Sequence, residues 1–360
     1  MTTLYDEAAA ERLHEQPARH PWRQRTVKFT LSISVAVLVP AAIIGWLLAT
    51  TEIPGPILAI VVYLPLQLLA AGAAAWVNRG TKAIADSVIM VLAIGATVFT
   101  MVVLASVVGS LIVKGFGALS PHFIYQNNVY ISPSTSLEYG GIGHAMLGTF
   151  LIVLVASVFA VPIGIATAVY ITEVRGRAVP YVRFFVQAMS GVPSVVAGLF
   201  ILTIAVATGA FNQNAFAGGL AYAILMLPTV ARTAEEVLRL VPDDLRTGAL
   251  ALGSTRARTV LRVVIPAART GIITAILLGL ARVIGETAPL LLAAGNNDST
   301  ILNPFGESIA SIPVYIFNNV ALPYPDAVAR AWGSALVLLI LVAVLFTLAR
   351  LLGRGRRGTR

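Results

Sequence analysis

The sequence predicts an all-α polytopic membrane protein of about eight transmembrane helices, and three observations lead there. Apolar residues make up 58% of the chain and charged residues only 11%, against roughly 25% charged in soluble domains. Several windows of about 20 residues are apolar, each long enough to cross a hydrocarbon core of roughly 30 Å as a helix. Alternating β-barrel patterning is absent, so helices must satisfy the backbone polar groups within lipid.

In chain order, residues 1–28 form a polar tail with five Lys or Arg. No small-residue cleavage site follows a short apolar core there, so a retained cytoplasmic tail is expected rather than a cleaved signal. Three spans follow, Phe29–Ala49, Ile57–Val77 and Ser87–Val113, with Arg79 and Lys82 in the turn between the second and third. They make an N-terminal extension, 29–113. Residues 114–143, rich in Tyr, Asn, Ser and Pro, form an external loop. The remaining core, 144–351, holds His144–Ile171, Phe184–Ala207, Phe216–Glu236, Thr270–Ala294 and Ala331–Leu351, with a second long external loop at 295–330 and a basic tail at 352–360.

Charge fixes the expected orientation. Of 25 Lys and Arg, 22 fall in the proposed inside segments, seven of them in the loop 232–269. Lys114 and Arg330 sit at outer span ends and Arg282 inside a span. The positive-inside rule then places both termini in the cytoplasm and calls for an even number of spans. The net charge of +9 is therefore topological, and a nucleic-acid partner is not expected; membrane lipid is.

Several chemistries are excluded. Cysteine is absent, which removes thiol catalysis, thiolate metal sites and disulfides. His14, His20, His122 and His144 have no ligand spacing, so no metal site is expected. There is no GxxxxGK[ST] phosphate loop, and Glu286 is the only carboxylate central to a span. An enzyme is not indicated, no cofactor is expected, and any ATP hydrolysis belongs to another chain.

The loop 232–269 has an ordered pattern. Pro242-Asp243-Asp244 reads as a turn in which Asp243 or Asp244 caps a short helix, Gly253 stops it, Ser254 or Thr255 starts a second, and Pro266 ends that one before the next span. Thr247, Gly248, Ala249, then Gly253, then Val263-Val264-Ile265-Pro266 after nine residues resemble the EAA loop of ABC-importer permeases, with Thr247 where that family has its leading Glu. The resemblance implies a coupling helix that docks on an ATPase subunit through Thr247, Gly248, Ala249, Gly253, Val263, Ile265 and Pro266.

The seventh span contains Arg282-Val283-Ile284-Gly285-Glu286-Thr287-Ala288-Pro289-Leu290. At a spacing of four, Arg282 and Glu286 share a helix face and can meet. A charge at the bilayer centre costs from about 2.5 to more than 10 kcal/mol, so the pair either holds helices together or makes Arg282 a cationic post for an anion, with Glu286 and Thr287 beside the path. Gly285 would thin the helix at that face. Gly191, Pro193 and Ser194 read as a candidate gate at the inner end of the fifth span, or as a bend around its neighbours.

The Arg-x-x-Gly-Glu-Thr-Ala-Pro-Leu run, Gly191-Val192-Pro193-Ser194 and Leu225-x-Leu-Pro228 together resemble the PstA-type phosphate-transporter permease family, over about 141–351. This implies a MetI-like ABC-importer permease core and a phosphate importer with a second permease, two ATP-binding subunits and an extracytoplasmic phosphate-binding protein. Sulfate or molybdate permeation, and a proton-coupled secondary carrier using Glu286, are the alternatives. The family has one span before the core, where three are expected here.

Overall fold

The computed structural model describes residues 27–353, so the expected tails 1–28 and 352–360 lie almost wholly outside the described residues. Those residues are helical with no strands, and they divide into two compact units, one ending at Val107 and the other beginning at Val108. Six helices are long and apolar enough to cross a membrane, and the number reaches eight when each of two bent helix pairs counts as one span.

The first unit holds α1 (Val27–Thr50) and α2 (Leu64–Arg79), the latter preceded by a π-helical turn, Ala59–Tyr63; α3 (Lys82–Phe116) begins in it and runs past its boundary. Leu31, Trp46, Phe99 and Val102 are exposed on α1 and α3, as expected of helices that are apolar all round and face lipid. Asn78 Nδ2 donates to Ser32 Oγ and ties α2 to α1. An interhelical bond of this kind contributes about 1 kcal/mol in a bilayer. With 35 residues, α3 would span roughly 52 Å at 1.5 Å per residue, longer than the expected Ser87–Val113.

The second unit is built on α4 (Gly143–Val169, continued by the π-turn Tyr170–Val174), α7 (Ala215–Arg239) and α10 (Arg269–Ile284). On α4, Ala145, Gly148, Ile152, Ala156, Ala160, Gly164 and Ala168 are buried at spacings of three and four. Small residues let backbones approach closely where lipid offers no hydrophobic drive between helices. A β-carbon on Gly219 of α7 would overlap Val155 of α4, and one on Gly279 of α10 would overlap Val230 of α7. The most apolar stretch of α7 is 67% buried against 28% for α4, so α7 is the central helix of this unit.

Two expected spans are broken. Phe184–Ala207 was expected as one span with a gate or bend at Gly191, Pro193 and Ser194, and there α5 (Val179–Ser190) and α6 (Ser194–Ile201, continued by the π-turn Leu202–Val206) meet at 101°. Pro193 lacks an N–H and disfavours helical backbone at Val192, while Gly191 caps α5. Thr270–Ala294 was expected to be continuous. Instead α10 stops at Ile284 and α11 covers Ala288–Ala293. The Pro289 ring would collide with the carbonyl four residues back, that of Gly285, and Gly285 is the residue that caps α10.

The C-terminal helix α13 (Pro325–Gly353) begins before the expected Ala331 and is preceded by α12 (Ile312–Val320). Buried Arg330 on α13 donates from Nη2 to the carbonyls of Thr135, Ser136 and Tyr139 in the long loop before α4. Lys114 Nζ lies 4.8 Å from the Trp332 ring centroid, a cation–π contact. The two cations that the charge count left at outer span ends thus both have partners within this unit.

Candidate translocation and coupling sites

Arg282 lies in the last turn of α10 and is exposed in the isolated chain. Its Nη1 donates to Thr229 Oγ1 on α7 at 3.1 Å, and Nη2 reaches the Ser190 carbonyl at the end of α5 at 3.5 Å. The second acceptor is one of the last carbonyls of a helix, where the backbone dipole favours a cation. A guanidinium carries five N–H donors, so donors remain for an oxyanion, and its fork suits a tetrahedral one.

The expected meeting of Arg282 with Glu286 is corrected. The i,i+4 argument needs a continuous helix, and α10 ends between the two residues. Among the described residues no ion pair joins them; instead the Glu286 carbonyl accepts from Tyr222 Oη on α7. Gly285 does not thin a helix face, since it lies past the helix end with nothing within 4 Å of where its β-carbon would be. Thr287 is half-buried, and its carbonyl accepts from the amides of Leu290 and Leu291 at the start of α11.

The neighbour of the candidate gate, not the gate residues themselves, reaches the same place. Ser190, next to Gly191, touches Arg282, whereas Pro193 and Ser194 open α6, with the Pro193 carbonyl accepting from Val196 at 3.0 Å. Gly198, further along α6, packs on Pro289, where a β-carbon would come within 2.6 Å of the proline Cα. The two broken spans are therefore in contact near their breaks.

The loop 232–269 forms α8 (Asp243–Ala251) and α9 (Arg256–Thr259), which continues through the π-turn Val260–Val264 and Ile265–Ala267 before a 74° bend into α10. Pro242 occupies the N-cap position without a side-chain cap, and Asp243 and Asp244 lie in the first turn, where they favour the helix dipole. The expected aspartate cap is thus replaced by charge. Gly253 sits at φ +81°, and Thr255 Oγ1 accepts from the Arg258 amide. Thr247 Oγ1 donates back to the Asp243 carbonyl at 3.2 Å.

No residue of α8 is buried, and Leu245, Leu250 and Leu252 are exposed. Gly248 and Gly253 have open space where a β-carbon would be. Val263 and Ile265 are half-buried and Pro266 is exposed.

Three contributors escaped the sequence reading. Thr229 and Ser190 hold Arg282; Thr229 follows Pro228 in a motif already noted, and a hydroxyl inside an apolar span was the available signal. Arg246 anchors α8. Its Nη2 pairs with Glu173 Oε1 at 2.8 Å and donates to the Leu238 carbonyl, while Nη1 binds the Val241 carbonyl and Asp243. The hydrogen bond to Glu173 is the main cause holding this guanidinium more firmly protonated than a free arginine.

Apolar helices in number and length to cross a membrane, two of the expected spans broken, and a loop helix with an uncovered apolar face are the features of a transport permease. The chain belongs to the family of binding-protein-dependent transport system inner membrane components, whose profile matches residues 160–358. It is 46% identical over 207 residues to the phosphate transport system permease protein PstA 1 of Mycobacterium tuberculosis (strain CDC 1551 / Oshkosh), covering 57% of this chain and 68% of the relative. It is 34% identical over 271 residues to the phosphate transport system permease protein PstA of Yersinia pestis, covering 74% and 89%. A solved chain of the MetNI methionine ABC transporter in an inward-facing conformation aligns with a TM-score of 0.47 at 17% identity, covering 59% of this chain and 93% of that one.

Proposed function

We propose that this multi-pass membrane protein is the permease subunit of an ATP-driven inorganic phosphate importer. The observation that carries the reading is the Arg282 guanidinium, held by Thr229 and Ser190 at the break of two spans, in the region that matches phosphate permeases. A cation with spare donors offers a tetrahedral anion hydrogen bonds that replace those it gives up on leaving water. The chain requires an ATPase partner, for which α8 is the docking element. A second permease, two ATP-binding subunits and an extracytoplasmic phosphate-binding protein complete the assembly, in a bacterial plasma membrane. The deciding experiment is radiolabelled phosphate uptake by the assembled importer in vesicles, with sulfate and molybdate as competitors. Uptake that either competitor suppresses as well as unlabelled phosphate does would redirect the substrate reading.

Two expected results test the arrangement. With no native cysteine, single cysteines at Ser134 and Ser299 should react with an impermeant reagent outside sealed cells, and one at Ser254 should not. Outside labelling of the Ser254 site would invert the topology and remove α8 from the cytoplasm. Gly253→Leu should abolish substrate-stimulated ATPase while insertion continues, because a left-handed residue with a side chain costs about 1–2 kcal/mol and a leucine would fill space left open in this chain. Wild-type stimulation in that variant would exclude Gly253 from the docking surface.

A further inference from the structure

We propose that a cleft of about 510 Å³ beside α8 is a binding site for a phosphate oxyanion, carried by a lipid headgroup or free in solution. Its lining includes Thr172, Arg175, Arg183, Arg239, Asp243 and Arg246. The four guanidiniums meet only three carboxylates. Glu235 is shared between Arg183, at 3.0 Å, and Arg239. Arg246 takes both Glu173 and Asp243. Arg175 makes no ion pair among the described residues; its Nε donates to the Thr172 carbonyl at 2.8 Å. Its terminal nitrogens are the free fork of the cluster.

Arg175 is also the left-handed C-cap of the π-turn that ends α4, at φ 53°, its amide bonded to the Tyr170 carbonyl, so the helix end fixes its backbone position. The α5 helix beside it exposes Tyr181, Phe184 and Phe185, an apolar and aromatic face suited to the membrane interface. A phosphodiester headgroup could therefore seat on the arginines with its chains along α5, and a free phosphate could use the same donors.

The position gives the site a consequence. Arg175 follows α4 and its π-turn, Arg183 lies on α5 and Arg239 ends α7, so these three stand on the helices that precede the loop, whereas Asp243 and Arg246 belong to α8. An occupant bridges the two and restrains α8, so binding would adjust coupling rather than translocation. The site does not use Arg282 and does not depend on phosphate being the cargo.

The test is titration calorimetry on the purified full-length chain with two probes, short-chain phosphatidylglycerol and inorganic phosphate, each against chloride at matched ionic strength. At least one phosphate probe should bind. Arg175→Gln, which breaks no ion pair, should weaken it about tenfold, the scale of one lost charge-assisted interaction. Arg175→Gln/Arg239→Gln should abolish it, and Arg175→Lys should keep part of it. Phosphatidylglycerol binding alone assigns the site to a headgroup; inorganic phosphate binding with the same mutant pattern assigns it to the free ion. No binding above chloride overturns the proposal, as does binding that Arg175→Gln leaves intact with an unchanged melting temperature. Phosphate binding lost in Arg282→Ala but kept in Arg175→Gln belongs to the translocation path and also overturns it.

Discussion

Arg282→Lys is expected to cut phosphate uptake by about tenfold or more, with normal amounts of protein in the membrane. In the structure, separate arms of one guanidinium reach Thr229 and Ser190, and an ammonium cannot hold both while presenting a planar fork to an anion. A loss of ~1.4 kcal/mol in binding or barrier corresponds to that factor. Arg282→Ala should abolish uptake outright. Because Glu286 is not its ion-pair partner, the alanine variant strands no carboxylate and should still fold, and adding Glu286→Ala should restore nothing. Uptake normalised to assembled complex distinguishes the outcomes. Recovered uptake in the double variant would mean that Arg282 serves packing, and the anion path would have to be sought elsewhere.

The second large effect is expected at Arg246. Its alanine variant leaves Glu173, whose side chain is only 9% exposed, without its cation, and frees the carbonyls of Leu238 and Val241. Removing one member of a buried pair costs about 3–5 kcal/mol, and at the edge of this core roughly the lower end applies. Helix α8 should loosen, with faster amide hydrogen exchange across 243–252 and loss of substrate-stimulated ATPase in the assembled importer. Adding Glu173→Gln removes the stranded charge and should recover part of the protection. Unchanged exchange and stimulation in Arg246→Ala would show that α8 is held by something other than this ion pair.

These two residues mark what was and was not legible in the sequence. The class and approximate span number were readable because hydropathy and length are properties of composition. The Gly253 stop was readable because only local backbone geometry decides it. The bend at Gly191 with Pro193 was legible as a gate or bend, though not its 101° size; the break set by Gly285 with Pro289 was missed because the apolar stretch resumes directly after Glu286. Once α10 was taken as unbroken, the i,i+4 rule gave Arg282 the wrong partner. Thr229 and the Glu173–Arg246 pair come from helices far apart in sequence, and no local pattern joins them.

Arg330 has a consequence for anyone who would edit this protein. The turn it grips lies 195 residues earlier in the chain, so that segment is not a cassette. Grafting residues 132–139 from a relative, or inserting an epitope tag there, displaces backbone carbonyls that converge on the Arg330 guanidinium of α13. The cation would then remain buried with too few acceptors. Edits to that loop and to the start of α13 must be designed as a pair, although a linear map of the chain puts them at opposite ends of the core.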